Sequence, residues 1–147
     1  MLARLLLAAA VATSLLLPVA GRAQELLVVA NPSVEVPAPL SLGQLAAIYL
    51  LRITRWPDGS HIVPVNREAT SGVRALFTER VLRQSNASLA AYWNEMHFKG
   101  RLPPVVQESE QAVLAFVRKV PGAIGYVGAV GDPPVPPAGV KVLARVR

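Results

Sequence analysis

The run "ELLVVANPSV", residues 25 to 34, constrains this chain more than any other stretch. From Leu26 to Ala30 every side chain is apolar, without the alternation of a strand that has one wet face. A strand of that kind must be covered on both faces. Asn31 and Pro32 close it. Two covered faces call for helices on both sides of a sheet, and the chain supplies helical segments in alternation with further strands. "SLGQLAAIYLLR" places Ser41 as an N-cap and Leu42, Leu45, Ala46, Tyr49 and Leu50 at helical spacing. "TRWPDGSHIVPVN" carries a turn at Pro57-Asp58-Gly59 and then a short strand from His61 to Asn66.

A second helix follows, with Val73, Leu76, Phe77 and Val81 on one face. Ser85 or Asn86 caps a third, "ASLAAYWNEMHF", whose apolar stripe is Leu89, Tyr92, Trp93 and Met96, and Gly100 ends it. "LPPVVQ" is a short strand weakened at its start by Pro103 and Pro104. Ser109 caps "EQAVLAFVRKV", Pro121-Gly122 stops that helix, and "AIGYV" is a second strand of the buried type. After the proline-rich loop at 132 to 137, "VKVLARV" reads as a last strand. The expectation is an α/β domain, a single three-layer lobe with a mostly parallel sheet flanked by helices. Ligands of such sheets gather where strand ends meet helix starts, the position of the loop between Asn66 and Gly72.

Residues 1–23, "MLARLLLAAAVATSLLLPVAGRA", have a basic start at Arg4, an apolar core and small residues ahead of Ala23. They read as a secretory signal peptide cleaved after Ala23, because the apolar run from Leu5 to Leu17 is shorter than the roughly 20 residues that span a bilayer. Residues 24–147 then form the single lobe, with room for one core. Loss of Arg4 and Arg22 lowers the formal charge from +6 to +4, which suits an anionic ligand or surface as well as ordinary solubility. With no cysteine there is no disulfide scaffold, thiol nucleophile, thiolate metal site or lipid-modified cysteine. An exported, periplasmic protein without a lipid anchor is expected.

Catalytic chemistry finds no support. His61 and His97 stand far apart, and neither has a carboxylate at metal-ligand spacing. There is no nucleophile elbow, Walker loop or dinucleotide fingerprint. Gly122, Gly125, Gly128 and Gly131 flank and interrupt a strand, which suits turns and packing. Glu108 and Glu110 flank a helix start, where carboxylates are stabilising. No catalytic residue, metal site or cofactor is expected. The arginines are scattered over the polar sides of helices rather than gathered in a stripe, so no nucleic-acid partner is expected either.

One stretch survives this filter. "VNREATSGVRALFTERVL", residues 65 to 82, opens a helix with no acidic residue in its first turn and with arginines nearby. Unpaired N–H groups at a helix start form an anion site, Gly72 lets backbone approach a ligand closely, and Thr70 and Ser71 add hydroxyl donors. Arg67 at the loop's entry can grip two oxygens of a phosphate or carboxylate. Arg67, Thr70, Ser71, Gly72, Val73 and Arg74 are therefore the candidate ligand-binding residues. The alternative is a Ser-capped helix with incidental arginines.

"SLGQLAAIYLLRITRWPDG", "VNREATSGVRALFT" and "SEQAVLAFVRKVPGAIGYVG" together resemble the phosphate-binding proteins of bacterial phosphate ABC transporters, in the periplasmic binding protein superfamily. The similarity runs from about residue 25 to 130. It implies that the segment Arg-x-x-x-Ser-Gly at 67 to 72 grips phosphate through Arg67, Ser71 and the backbone N–H groups at Gly72 and Val73. The family's threonine is Val73 here, so its hydroxyl is lost. Family members close two lobes over the ligand, whereas this chain reads as one, the lobe with the arginine loop. The expectation is a half-site for phosphate or a similar oxyanion, completed by a second lobe, a homodimer partner or an ABC transporter or sensor component. The alternative is a protein-interaction module on the same fold without a small-molecule ligand, since a lobe built to face another exposes apolar surface.

Overall fold

Serines set every α-helix start among the described residues. Ser41, Ser71, Ser85 and Ser109 each lie in extended backbone and accept, through Oγ, the N–H of the residue three further on. In the computed structural model, which describes residues 24–147, the elements are β1 (Leu26–Ala30), α1 (Leu42–Tyr49), β2 (Val63–Arg67), α2 (Gly72–Phe77), a π-helical turn (Thr78–Leu82), α3 (Asn86–Phe98), β3 (Val105–Gln107), α4 (Glu110–Lys119), β4 (Ala123–Gly128) and β5 (Lys141–Val146). The expected signal peptide, residues 1–23, lies outside the described residues.

The strands form one sheet in the order β3-β2-β4-β1-β5. β2 is parallel to β3 and β4, while β1 is antiparallel to β4 and β5. Four strands thus share a direction, as the strand–helix alternation implies, and β1 runs against them. The sheet is mixed because β1, which lies between β4 and the edge strand β5, is antiparallel to both neighbours.

β1 is buried at every residue, and the two sides of its pleat feed separate layers. Leu26, Val28 and Ala30 pack with Tyr49 of α1, Phe77 of α2 and Tyr126 of β4. Leu27 and Val29 pack with Val65, Val113 and Val117 on the side covered by α4. Burying each of the leucine and valine side chains stabilises the fold by about 1.5–3 kcal/mol. Gly122, which ends the α4 segment, has φ of +78°, and a Cβ there would lie 2.2 Å from the His61 carbonyl oxygen. The turn into β4 therefore requires glycine.

α3 departs from its expected packing. Of its stripe only Met96 is buried, whereas Leu89, Tyr92 and Trp93 are half-buried. Tyr92 donates its hydroxyl hydrogen to the Leu50 carbonyl and meets Trp93 edge-on. Phe98, the last residue of α3, is 87% exposed and Leu102 just beyond it 71%, ahead of exposed Val105 and Val106 on the edge strand β3.

Candidate functional site

The loop from Arg67 to Arg74 leaves the end of β2 and enters α2 over a network anchored in the sheet. Tyr126 of β4 stacks flat on Phe77 of α2, with ring centroids 4.0 Å apart. Its hydroxyl donates to Asn66 Oδ1 and accepts the Arg67 backbone N–H at 3.3 Å. Burial pushes the Tyr126 phenol up to about 12, so it remains a donor at neutral pH. Tyr49 donates to the Val65 and Ile124 carbonyls at 3.0 and 3.2 Å and ties β2 to β4 beneath the loop.

Arg67 ends β2 with only 9% of its surface exposed. Its Nε and Nη2 donate to the two carboxylate oxygens of Glu68 at 2.9 and 3.0 Å, a bidentate pair. The hydrogen bond that Arg67 donates to Glu68 raises the Arg67 pKa, and the same bond holds the Glu68 carboxyl below the usual carboxylate range. No buried side-chain nitrogen or oxygen lacks a partner among the described residues. The Nη1 donors of Arg67, which meet none there, therefore reach solvent. Arg74 folds back from α2 and donates through Nη1 to the Arg67 carbonyl at 2.7 Å, which closes the loop.

Ser71 is buried, and its Oγ accepts the Arg74 N–H at 3.3 Å. Capping uses a lone pair of that oxygen and leaves its O–H free to donate. Gly72 and Thr70 face solvent, and a Cβ on Gly72 would meet nothing within 4 Å, so space is open in front of the helix start. Val73 turns inward and packs against the core, which gives this position a reason to be apolar. The structure thus ties Arg67, Ser71 and Arg74 into one loop, leaves Thr70 and Gly72 on its open side, and brings Val73 to the site through its backbone alone.

Glu68, Asn66 and Tyr126 were not among the residues expected at the site. Adjacent residues on a strand point to opposite faces, so Arg67 beside Glu68 in sequence carries no sign of a contact. The chain turns after Arg67, and that turn brings the two side chains together. The acid-free first turn of α2 is as expected, but a carboxylate stands one residue beyond the strand.

The neighbouring helix start is built differently. β3 runs parallel to β2, with Gln107 in register with Arg67, and leads into α4, whose first turn contains Glu110. Glu110 Oε1 accepts the Gly128 N–H at 2.7 Å. Here the negative charge that favours a helix start is supplied from within. Among the described residues, no group of three or more His, Asp or Glu side chains is placed to hold a metal ion.

A mixed five-stranded sheet with flanking helices, and an arginine loop where a strand end meets a helix start, defines a periplasmic-binding-protein-like α/β lobe. A family model described as a PBP superfamily domain matches residues 22–136, and the chain belongs to that superfamily. Among solved structures, it is similar in fold to a putative phosphate ABC transporter substrate-binding protein with bound phosphate from Clostridium perfringens (23% identity, TM-score 0.59, 82% of this chain and 44% of that one). It is also similar to an ABC-type phosphate transport receptor from Vibrio cholerae (22%, 0.61, 82% and 45%). A third is a high-affinity periplasmic phosphate-binding protein bound with phosphate (26%, 0.52, 71% and 31%). The chain spans less than half the length of each. No curated protein matches it.

Proposed function

We propose that this chain is a non-enzymatic, periplasmic, solute-binding-like lobe with a half-site for phosphate or a similar oxyanion at residues 67–74, linked to phosphate ABC transport. The observation that carries this reading is the Arg67 guanidinium, buried and clamped by Glu68 on one edge while its Nη1 side reaches solvent at an acid-free helix start. Its support from relatives is that structures of the same fold are phosphate-binding proteins, two of them with phosphate bound. An incoming oxyanion takes the Nη1 donors of Arg67, the Ser71 hydroxyl and the N–H groups of Gly72 and Val73. The facing half of the site comes from a further lobe, a second copy or a transporter or sensor component. Binding by this lobe alone is therefore weak.

Titration calorimetry and thermal shift of the full chain with phosphate, sulfate and acetate test the reading. Phosphate gives a saturable heat and raises the melting temperature, and Arg67→Ala weakens binding about 10- to 100-fold, since a charge-assisted hydrogen bond contributes about 1.5–3 kcal/mol. No heat and no stabilisation at millimolar phosphate would remove ligand binding from the account. A second reading, an interaction module, is favoured by the exposed Phe98 and Leu102 ahead of the open edge strand β3. It predicts concentration-dependent association in light scattering that Phe98→Ser abolishes.

A further inference from the structure

β2 delivers Arg67 to the candidate site, yet main-chain pairing does not hold that end of the strand to β4. The parallel ladder between the two strands joins Val63 to Ala123 and Pro64 to Ile124 and goes no further. On the other side Val65, Asn66 and Arg67 pair with β3, a three-residue edge strand with exposed Val105 and Val106. A short exposed edge fixes little by itself. Between β2 and β4, two tyrosine hydroxyls take the place of the ladder. Tyr49 donates to the carbonyls of Val65 and Ile124, one from each strand. Tyr126, two residues beyond Ile124, reaches across to Asn66 Oδ1 and the Arg67 N–H.

The two hydroxyls have different consequences. Tyr49 bonds to residues whose side chains lie in the core, so it holds the sheet together. Both bonds of Tyr126 go to the last two residues of β2, and one of them holds the backbone of the residue that carries the guanidinium. Because the Arg67 N–H occupies the hydroxyl oxygen, the hydroxyl hydrogen goes to Asn66 Oδ1, which also accepts the Arg67 N–H at 3.1 Å. Amide, hydroxyl and peptide N–H close into one cluster that fixes the Asn66–Arg67 peptide. The ring of the same tyrosine lies flat on Phe77, in the helix that begins at Gly72. A phenylalanine would keep that stack, so packing does not require the hydroxyl. We propose that Tyr126 is a positioning residue of the oxyanion half-site. Its hydroxyl sets the Asn66–Arg67 peptide against β4, so that the Arg67 guanidinium and the first N–H groups of α2 converge on one anion. This role rests on the reading of residues 67–74 as an oxyanion half-site, and adds to it a residue 59 positions from Arg67 in sequence.

Calorimetric titration of the full chain with inorganic phosphate tests this on wild type, Tyr126→Phe, Arg67→Lys and the double variant. Tyr126→Phe keeps the ring on Phe77 and weakens phosphate binding about fivefold, within the range that one hydrogen bond contributes. Arg67→Lys removes the planar fork that the hydroxyl aims, so in that background Tyr126→Phe weakens binding by less than about twofold further. Val117→Ala, in the layer covered by α4, lowers the melting temperature at least as far as Tyr126→Phe and leaves phosphate affinity at the wild-type level. If Tyr126→Phe binds like wild type while Arg67→Lys binds more weakly, the positioning role is overturned and the half-site reading stands. A fivefold loss that persists in the Arg67→Lys background, or an equal loss in Val117→Ala, also overturns it, because the hydroxyl then acts through general stability rather than through Arg67. No phosphate heat in the wild type removes the half-site reading, and the positioning role with it.

Discussion

α2 and α4 start at the same edge of one sheet, follow neighbouring parallel strands and are both capped by serine, yet they treat the positive end of a helix in opposite ways. At α4 the carboxylate of Glu110 stands in the first turn and accepts the N–H of Gly128. A Cβ at Gly128 would lie 2.6 Å from the Gln24 side-chain nitrogen and 3.1 Å from that carboxylate, so the glycine leaves room for both. At α2 the first turn has no acid, and the charged groups around it are Arg67 and Arg74, with Glu68 spent on the far edge of Arg67. The α4 start is finished internally and stabilises the fold. The α2 start has no acid in its first turn and open space at Gly72, and the difference lies in where one carboxylate stands.

The largest effect expected from disturbing this contrast is at α4. Glu110→Ala leaves the buried Gly128 N–H unpaired and lowers stability by about 1–3 kcal/mol in urea unfolding, while phosphate affinity stays at the wild-type level. A large loss of phosphate binding in that variant would show that the two helix starts form one site. Next comes an exchange of character. Gly72→Glu places a carboxylate in the first turn of α2, where a side chain meets open space. It raises stability by about 0.3–1 kcal/mol without ligand and weakens phosphate binding about tenfold, because the site then contains its own anion. A variant that binds phosphate as well as wild type would place the ligand elsewhere.

The smallest effect is at Glu68. Glu68→Gln keeps an acceptor on Arg67 and removes a like charge from beside the incoming anion, so phosphate binds roughly threefold tighter in calorimetry. Weaker binding would mean that the carboxylate serves chiefly to orient Arg67. The pH dependence has a definite sign. The Glu68 carboxyl sits below its ordinary value because of Arg67, so the pair stabilises the fold above the ordinary carboxylate range and is lost as pH falls through the lowered value. Melting temperatures of wild type and Glu68→Gln should therefore converge in acid.

The layers were legible in the sequence because they follow from hydropathy. Continuous apolar runs at β1 and β4 can only be sandwiched strands, and serines ahead of periodic segments mark helix starts. The direction of β1 was not legible, since hydropathy says that a strand is buried and nothing about which neighbours it pairs with. The stripe of α3 was legible as a stripe, but a stripe does not reveal that only Met96 finds the core. At the candidate site, Arg67, Ser71 and Gly72 were readable from spacing and resemblance. The Glu68 clamp and the Tyr126–Asn66 support were not, because one depends on a backbone turn and the other joins strands 60 residues apart in sequence. The π-helical turn at Thr78–Leu82 left no mark in the periodicity, since Val73, Leu76, Phe77 and Val81 fit an α-helix equally well.

The open character of the α2 start is tested most directly by amide NMR of the full chain during phosphate titration. The N–H resonances of Gly72 and Val73 and the Arg67 side-chain signals should shift together and saturate, while those of Glu110, Gln111 and Ala112 stay in place. Shifts at both helix starts, or at neither, would contradict the account.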